Sequence, residues 1–165
     1  MKMRVLLALC ACWLFLAFGS ELVAQRAVFL VRHAEKVDDT DDAALTQEGL
    51  NRAERLAAIL KDAGITAVYT TQFQRTRNTA APLCREAGIQ PVVIPQGEEQ
   101  KVVDAVRTRH KNDVVMVVGH RSTVIKMLKL FGAREPFAIG PGEHSQIFVV
   151  VPNGNGAPTA LQLRY

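Results

Sequence analysis

Residues 28–36 read Val-Phe-Leu-Val-Arg-His-Ala-Glu-Lys, and the fold turns on this stretch. Apolar, β-branched and aromatic residues run from Ala27 to Val31 and stop abruptly at Arg32-His33-Ala34-Glu35. A short run of that composition predicts a buried strand with the polar residues at its C-terminal edge. In open α/β sheets, ligands bind at that edge. An arginine and a histidine placed there can hold an anion and attack it.

Moving outward, the same pattern repeats. Ala67–Thr71 is a second strand and ends at Gln72-Phe73-Gln74-Arg75. Pro91–Pro95 is a third and ends just before Glu98-Glu99. Asp113–Val118 is the most apolar, predicts a central strand, and ends at Gly119-His120-Arg121-Ser122. Helical periodicity fills the gaps. Thr46 caps a helix with the stripe Leu50, Ala53, Leu56, Ala57 and Leu60, closed by Gly64. A second helix buries Phe73, Ala80, Leu83, Cys84 and Ala87, ends at Gly88, and should kink at Pro82. Val102, Val103, Ala105 and Val106 mark a third. The fourth, Thr123–Phe131, can be capped by Ser122. After a Pro- and Gly-rich loop, Glu135–Glu143, come strands Ser145–Val151 and Thr159–Arg164, which no helix separates and which should therefore be antiparallel. The expected fold is α/β: three layers, a mostly parallel central sheet of about six strands with helices on both faces, and an antiparallel C-terminal strand pair.

The consequence is positional. Arg32, His33, Arg75, Glu98, Glu99 and His120 all follow the C-terminal ends of strands, and in a parallel sheet those ends share one edge. Two arginines and two histidines gathered there form a cationic pocket, to which the N-terminus of the helix after His120 adds N–H donors. Arginine's planar fork pairs with two phosphate oxygens at once. No Gly-rich loop ending in Lys-Ser/Thr exists, so a nucleoside-triphosphate site of the P-loop type is not indicated. Each histidine is flanked or faced by an arginine, an arrangement that repels a divalent metal, so no metal is expected. Asp38, Asp39, Asp41 and Asp42 lack the glycine and distal glutamate of a calcium loop and read as a solvated loop.

Three motifs in order, Arg32-His33-Ala34-Glu35, Thr71-Gln-Phe-Gln-Arg75-Thr-Arg-Asn-Thr79-Ala80 and Val118-Gly119-His120, resemble the histidine phosphatase superfamily, also called phosphoglycerate-mutase-like. Short length and simple connections look most like its small bacterial members, including the phosphohistidine phosphatases. The resemblance implies a two-step transfer without a cofactor. His33 would be the nucleophile and become phosphorylated. Arg32, Arg75 and His120 would hold the phosphoryl oxygens, and water would cleave the phosphohistidine. The substrate would be a phosphorylated small molecule or a phosphoprotein. Neighbouring arginines should keep His33 neutral, as a nucleophile must be. For the leaving-group proton, Glu98 is preferred, with Glu99, Glu35 or no donor as alternatives. Ala34 stands where glycine is frequent, Thr71 where serine is frequent, and Arg121 where a small polar residue is usual. Arg121 either points into the site to favour a more highly charged substrate or faces solvent. His144, at the entrance to the fifth strand, could line the rim but reads as a plain loop histidine. A phosphate-binding module that has lost catalysis and a phosphoglycerate-type mutase are the competing functions. The mutase would need a lid that these short loops hardly provide.

The chain of 165 residues is 48% hydrophobic with net charge +4, which fits one globular domain and excludes a disordered chain. No lysine-rich block or aromatic–basic interleaving points to nucleic acid. Lys2 and Arg4 precede the apolar stretch Val5–Phe18, which contains Trp13, Cys10 and Cys12. Residues 1–24 read as a secretory signal cut near 19 or 24, leaving a domain at 25–165 exported to the periplasm or beyond. An uncleaved leader anchoring the domain to the membrane is the alternative. Without the leader only Cys84 remains, a buried structural thiol.

Overall fold

A computed structural model describes residues 27–153 and 156–165. The expected leader, its cleavage sites and its two cysteines lie outside the described residues. Six strands and four helices follow in the order β1 (Ala27–Arg32), α1 (Gln47–Leu60), β2 (Ile65–Thr70), α2 (Gln74–Ala87), β3 (Val92–Val93), α3 (Glu99–Arg109), β4 (Val114–Gly119), α4 (Arg121–Phe131), β5 (Gln146–Val151) and β6 (Thr159–Arg164). The sheet order is β3-β2-β4-β1-β5-β6. β1, β2, β3 and β4 pair in parallel, β5 lies antiparallel to β1, and β6 antiparallel to β5.

Alternation along the strands divides the core between two faces. Val28 and Leu30 of β1, with Val115 and Val117 of β4, pack against Val102, Val103 and Val106 of α3 and Val124, Met127 and Leu128 of α4. Val31, Met116 and Val118 face the other way, onto Leu56, Ala57 and Leu60 of α1 and Ala80, Leu83 and Cys84 of α2. β1 and β4 are covered on both faces, which is why they are continuous apolar runs. Cys84 is buried, and burial pushes its thiol up.

Some local details differ from the expectations. Leu50 is exposed, and Gly49 takes the buried position because α1 lies against the Glu35 backbone there. As expected, α2 runs past Pro82 to an αL cap at Gly88, whose N–H donates to Cys84 O. The third strand shrinks to two exposed valines at the sheet edge. The N-cap of α4 is His120, not Ser122, so that helix starts one residue after a site histidine. Among the described residues no helix is long and apolar enough to cross a membrane.

Candidate active site

β1 and β4 are hydrogen-bonded neighbours with Arg32 opposite Gly119, so His33 and His120 emerge side by side. Their ring centroids are 5.3 Å apart, edge to face, and both residues are buried. His33 Nδ1 lies 2.8 Å from the Ala34 carbonyl oxygen. A carbonyl only accepts, so Nδ1 carries the hydrogen and Nε2 of the neutral ring keeps its lone pair. Burial first, then His120, Arg32 and Arg75, pull the His33 pKa down to about 3, against the Ala34 bond, which opposes them. Burial, and not the arginines alone, therefore keeps this ring neutral.

His120 is held as firmly. Its Nε2 lies 3.1 Å from Thr71 Oγ1, which lies 2.9 Å from Thr76 Oγ1. Thr76 Oγ1 donates its single hydrogen to the Phe73 or Thr71 carbonyl, at 2.9 and 3.1 Å. The hydroxyls then run one way, from His120 Nε2–H through Thr71 to Thr76, and leave His120 Nδ1 with a lone pair 3.5 Å from an Arg75 terminal nitrogen. Burial, Arg75 and Arg32 lower the His120 pKa to about 4. Phe73 packs its ring at 5.4 Å from the His120 ring, and Arg75 stacks on Phe73 at 4.3 Å.

Both arginines are tethered by one terminal nitrogen to a loop carbonyl. Arg32 donates to the carbonyl oxygens of Gly140, Pro141 and Glu143 at 3.1, 2.6 and 3.1 Å. Arg75 donates to the Asp41 carbonyl, and Asp42 accepts from the Gln74 N–H at 2.7 Å, capping α2 from another loop. The Nε groups of Arg32 and Arg75 are buried without a hydrogen-bond partner. Buried donors left unpaired are costly, and both guanidiniums stand close enough to the two histidines for their charge to lower the pKa of each. The aspartate loop thus has a second job beyond being solvated: it braces Arg75.

The fold brings together Arg32, His33, Arg75 and His120. It does not bring the carboxylates to the same point in a free state. Glu98 pairs with Lys101 at 2.7 Å near the surface. Glu99 is buried, accepts from Lys126 at 2.7 Å and from Gly97 N at 3.2 Å; burial would raise its carboxyl, but these partners hold it below the usual range. Glu35 pairs with Arg52 of α1 at 2.6 Å, neither Lys36 nor a site arginine, and that pairing likewise outweighs burial. Arg121 is exposed and lies close enough to Arg32 that its charge helps lower the Arg32 pKa, after burial. Among the described residues no group of three or more His, Cys, Asp or Glu could hold a metal.

The sequence reading gave Thr76 and Thr79 no role and took His144 for a plain loop histidine. Thr76 and Thr79 are buried on α2, and polar residues on the inward face of an amphipathic helix are a signal that could have been read. His144 is not a plain loop histidine: its Nδ1 donates to the His33 carbonyl oxygen at 2.7 Å, and its ring lies 5.6 Å from the His33 ring. Because β5 runs antiparallel to β1, its entrance and not its exit reaches the site edge.

Comparison with known proteins agrees with this arrangement. The family model for the histidine phosphatase superfamily, branch 1, matches residues 28–101. "Probable phosphoglycerate mutase GpmB" of Erwinia tasmaniensis is 33% identical over 79 residues, 44% of this chain and 37% of that protein. The match thus spans little more than a third of that curated relative. The protein histidine phosphatase SixA in complex with tungstate shares the fold with a TM-score of 0.67 and 21% identity, over 84% of this chain and 96% of that one. A native mycobacterial glucosyl-3-phosphoglycerate phosphatase gives 0.66 and 12%, over 85% and 98%. With the paired histidines and arginines at the ends of β1, β2 and β4 and the family model lying across the first two of these motifs, this chain is similar to the histidine phosphatase superfamily over residues 28–101.

Proposed function

We propose that the protein is a phosphatase that transfers a phosphoryl group from its substrate to His33 Nε2 and then to water. The observation that carries this is the His33 Nδ1 bond to the Ala34 carbonyl, which leaves Nε2 with its lone pair in a site shared with His120, Arg32 and Arg75. In the first step the Nε2 lone pair bonds to phosphorus, and the bond to the leaving group breaks with its electron pair. In the second, water oxygen bonds to phosphorus, the P–Nε2 bond breaks, and inorganic phosphate leaves. Arg32, Arg75 and His120 neutralise the equatorial oxygens, and positioning with fixed positive charge is most of what in-line transfer requires. A dianion arriving at Nδ1 of His120 raises that ring's pKa, so the ring becomes a donor only when substrate is present.

Glu98, Glu99 and Glu35 are each engaged by a cation. That favours substrates whose leaving group departs without a strong acid, such as a phosphohistidine or an aryl phosphate, over alkyl esters. The charge is supplied by arginine, so turnover is expected to survive chelation by EDTA. Residues 1–24 support export, which amino-terminal sequencing of the protein from a cell fractionation would check.

The test is trapping. Brief incubation with a ³²P-labelled substrate should leave label on the protein that is acid-labile and base-stable, and His33→Ala should lose both label and turnover while its circular dichroism and melting stay native. Undiminished turnover in His33→Ala would exclude His33 as nucleophile. Phosphate binding without any release of p-nitrophenol from p-nitrophenyl phosphate would favour the binding module.

A further inference from the structure

The peptide joining His33 to Ala34 is held at both polar atoms by side chains distant in sequence. Its carbonyl oxygen accepts from His144 Nδ1 at 2.7 Å. Its N–H, that of Ala34, donates to Thr79 Oγ1 at 2.9 Å. Thr79 Oγ1 in turn donates to the Arg75 carbonyl at 2.7 Å, which ties the same hydroxyl to the turn that carries Arg75. One peptide further back, the His33 N–H donates to the Gly119 carbonyl at 2.8 Å. The backbone around His33 is therefore fixed from β4, from α2 and from the entrance to β5.

This peptide matters because of what is attached to it. Turning its plane would swing the Ala34 carbonyl, which holds His33 Nδ1, and would tilt the Cα–Cβ bond that aims the ring. Ladder bonds beyond Arg32 do not reach it, since the pairing of β1 with β4 ends at Arg32 and with β5 at Val31. The two side chains replace the missing ladder.

We infer that His144 and Thr79 are positioning residues that clamp the His33–Ala34 peptide and so hold the His33 ring in the tautomer and direction that present Nε2 to the phosphoryl group. The inference rests on His33 being the nucleophile. Neither clamp residue has to touch the substrate. Arg32, Arg75 and His120 keep their own supports when the clamp is loosened, so the loss should fall on kcat and spare KM.

The experiment compares His144→Ala, His144→Asn and His144→Gln in the full chain. The amide nitrogen of Asn can occupy the place of Nδ1, whereas that of Gln reaches toward Nε2. With p-nitrophenyl phosphate, Ala and Gln are expected to lower kcat about 10- to 100-fold with KM within about threefold, and Asn to restore kcat to within about threefold. Imidazole ¹⁵N spectra should show His33 as the Nδ1–H tautomer in the parent and in Asn, and as a mixture in Ala. Parental kcat with an unchanged His33 tautomer in Ala would overturn the clamp, as would rescue by Gln where Asn fails. If Ala does not fold, the Asn and Gln pair still decides, because only the position of the donor differs. If the parent itself hydrolyses nothing, the phosphatase reading fails, and the His33 spectra still decide the clamp.

Discussion

At Arg32 and Arg75 a single guanidinium does two things at once, and lysine could do only one of them. One terminal nitrogen is tied to loop carbonyls while the charge of the fork stays near both histidines, and in Arg75 the other terminal nitrogen lies 3.5 Å from His120 Nδ1. An ammonium has no second nitrogen, so it either keeps the loop or meets the anion. Arg32→Lys and Arg75→Lys are each expected to lower kcat/KM about 100-fold, read as p-nitrophenol release at several substrate concentrations; activity within threefold of the parent would show that the fork is not used. Thr71 makes a finer point. It accepts from His120 Nε2 and passes its own hydrogen to Thr76, which selects one tautomer. Thr71→Ser keeps the hydroxyl and should stay near parental activity, while Thr71→Val should lose about tenfold in kcat. The hydroxyl at this position was legible in the sequence; its partner was not, because Thr76 lies five residues on and nothing in the motif says which way its side chain turns.

Among the elements, α1 and the loop before it show how the site is braced from outside. Thr46 Oγ1 accepts from Gly49 N at 3.0 Å, as the capping pattern predicts, and the Thr46 N–H donates to the Glu35 carbonyl at 2.9 Å. A Cβ on Gly49 would stand 2.3 Å from that same carbonyl oxygen. Backbone on both sides leaves no flexible atom to give way, so Gly49→Ala should push α1 off the segment that follows His33. We expect a loss of about 2 kcal/mol or more, in the range of overpacked cores, seen as a lower urea midpoint with an unchanged m value. Replacement without a drop in midpoint would show that α1 can shift freely. Glu35 and Arg52 add an ion pair between the same two segments, and Arg52 also lies 5.9 Å from the Tyr165 ring centroid. Helix spacing located α1 and its cap. It did not distinguish Leu50, which is exposed, from Gly49, which is buried, because the side that faces the core is set by what passes beneath the first turn.

Over the whole molecule, two buried neutral histidines make stability depend on pH. The folded values of about 3 for His33 and about 4 for His120 lie below 6.5, so between pH 6.5 and 4 the unfolded chain binds more protons. Stability then rises with pH and falls as pH is lowered through 6.5, by up to about 1.4 kcal/mol per unit for each ring. Urea unfolding at pH 7.5 and pH 5 should differ by about 2–4 kcal/mol, and saturating phosphate should flatten the difference, since a bound dianion favours protonated His120. Glu35 and Glu99, held below their ordinary 4.5, add to the loss only at lower pH and cannot mimic it. Equal stability at the two pH values would mean that the rings are protonated, or solvated, in the folded protein. Amino-acid order alone determined the strand–helix alternation, the parallel sheet, and the delivery of Arg32, His33, Arg75 and His120 to one edge, because apolar periodicity and strand direction are local properties that repeat along the chain. Only the tertiary structure decided the braces: His144 on His33 across 111 residues, three loop carbonyls on Arg32, and Asp41 on Arg75. Such bonds join one side chain to one distant backbone atom, and a single directional contact leaves no period in the sequence from which to read it.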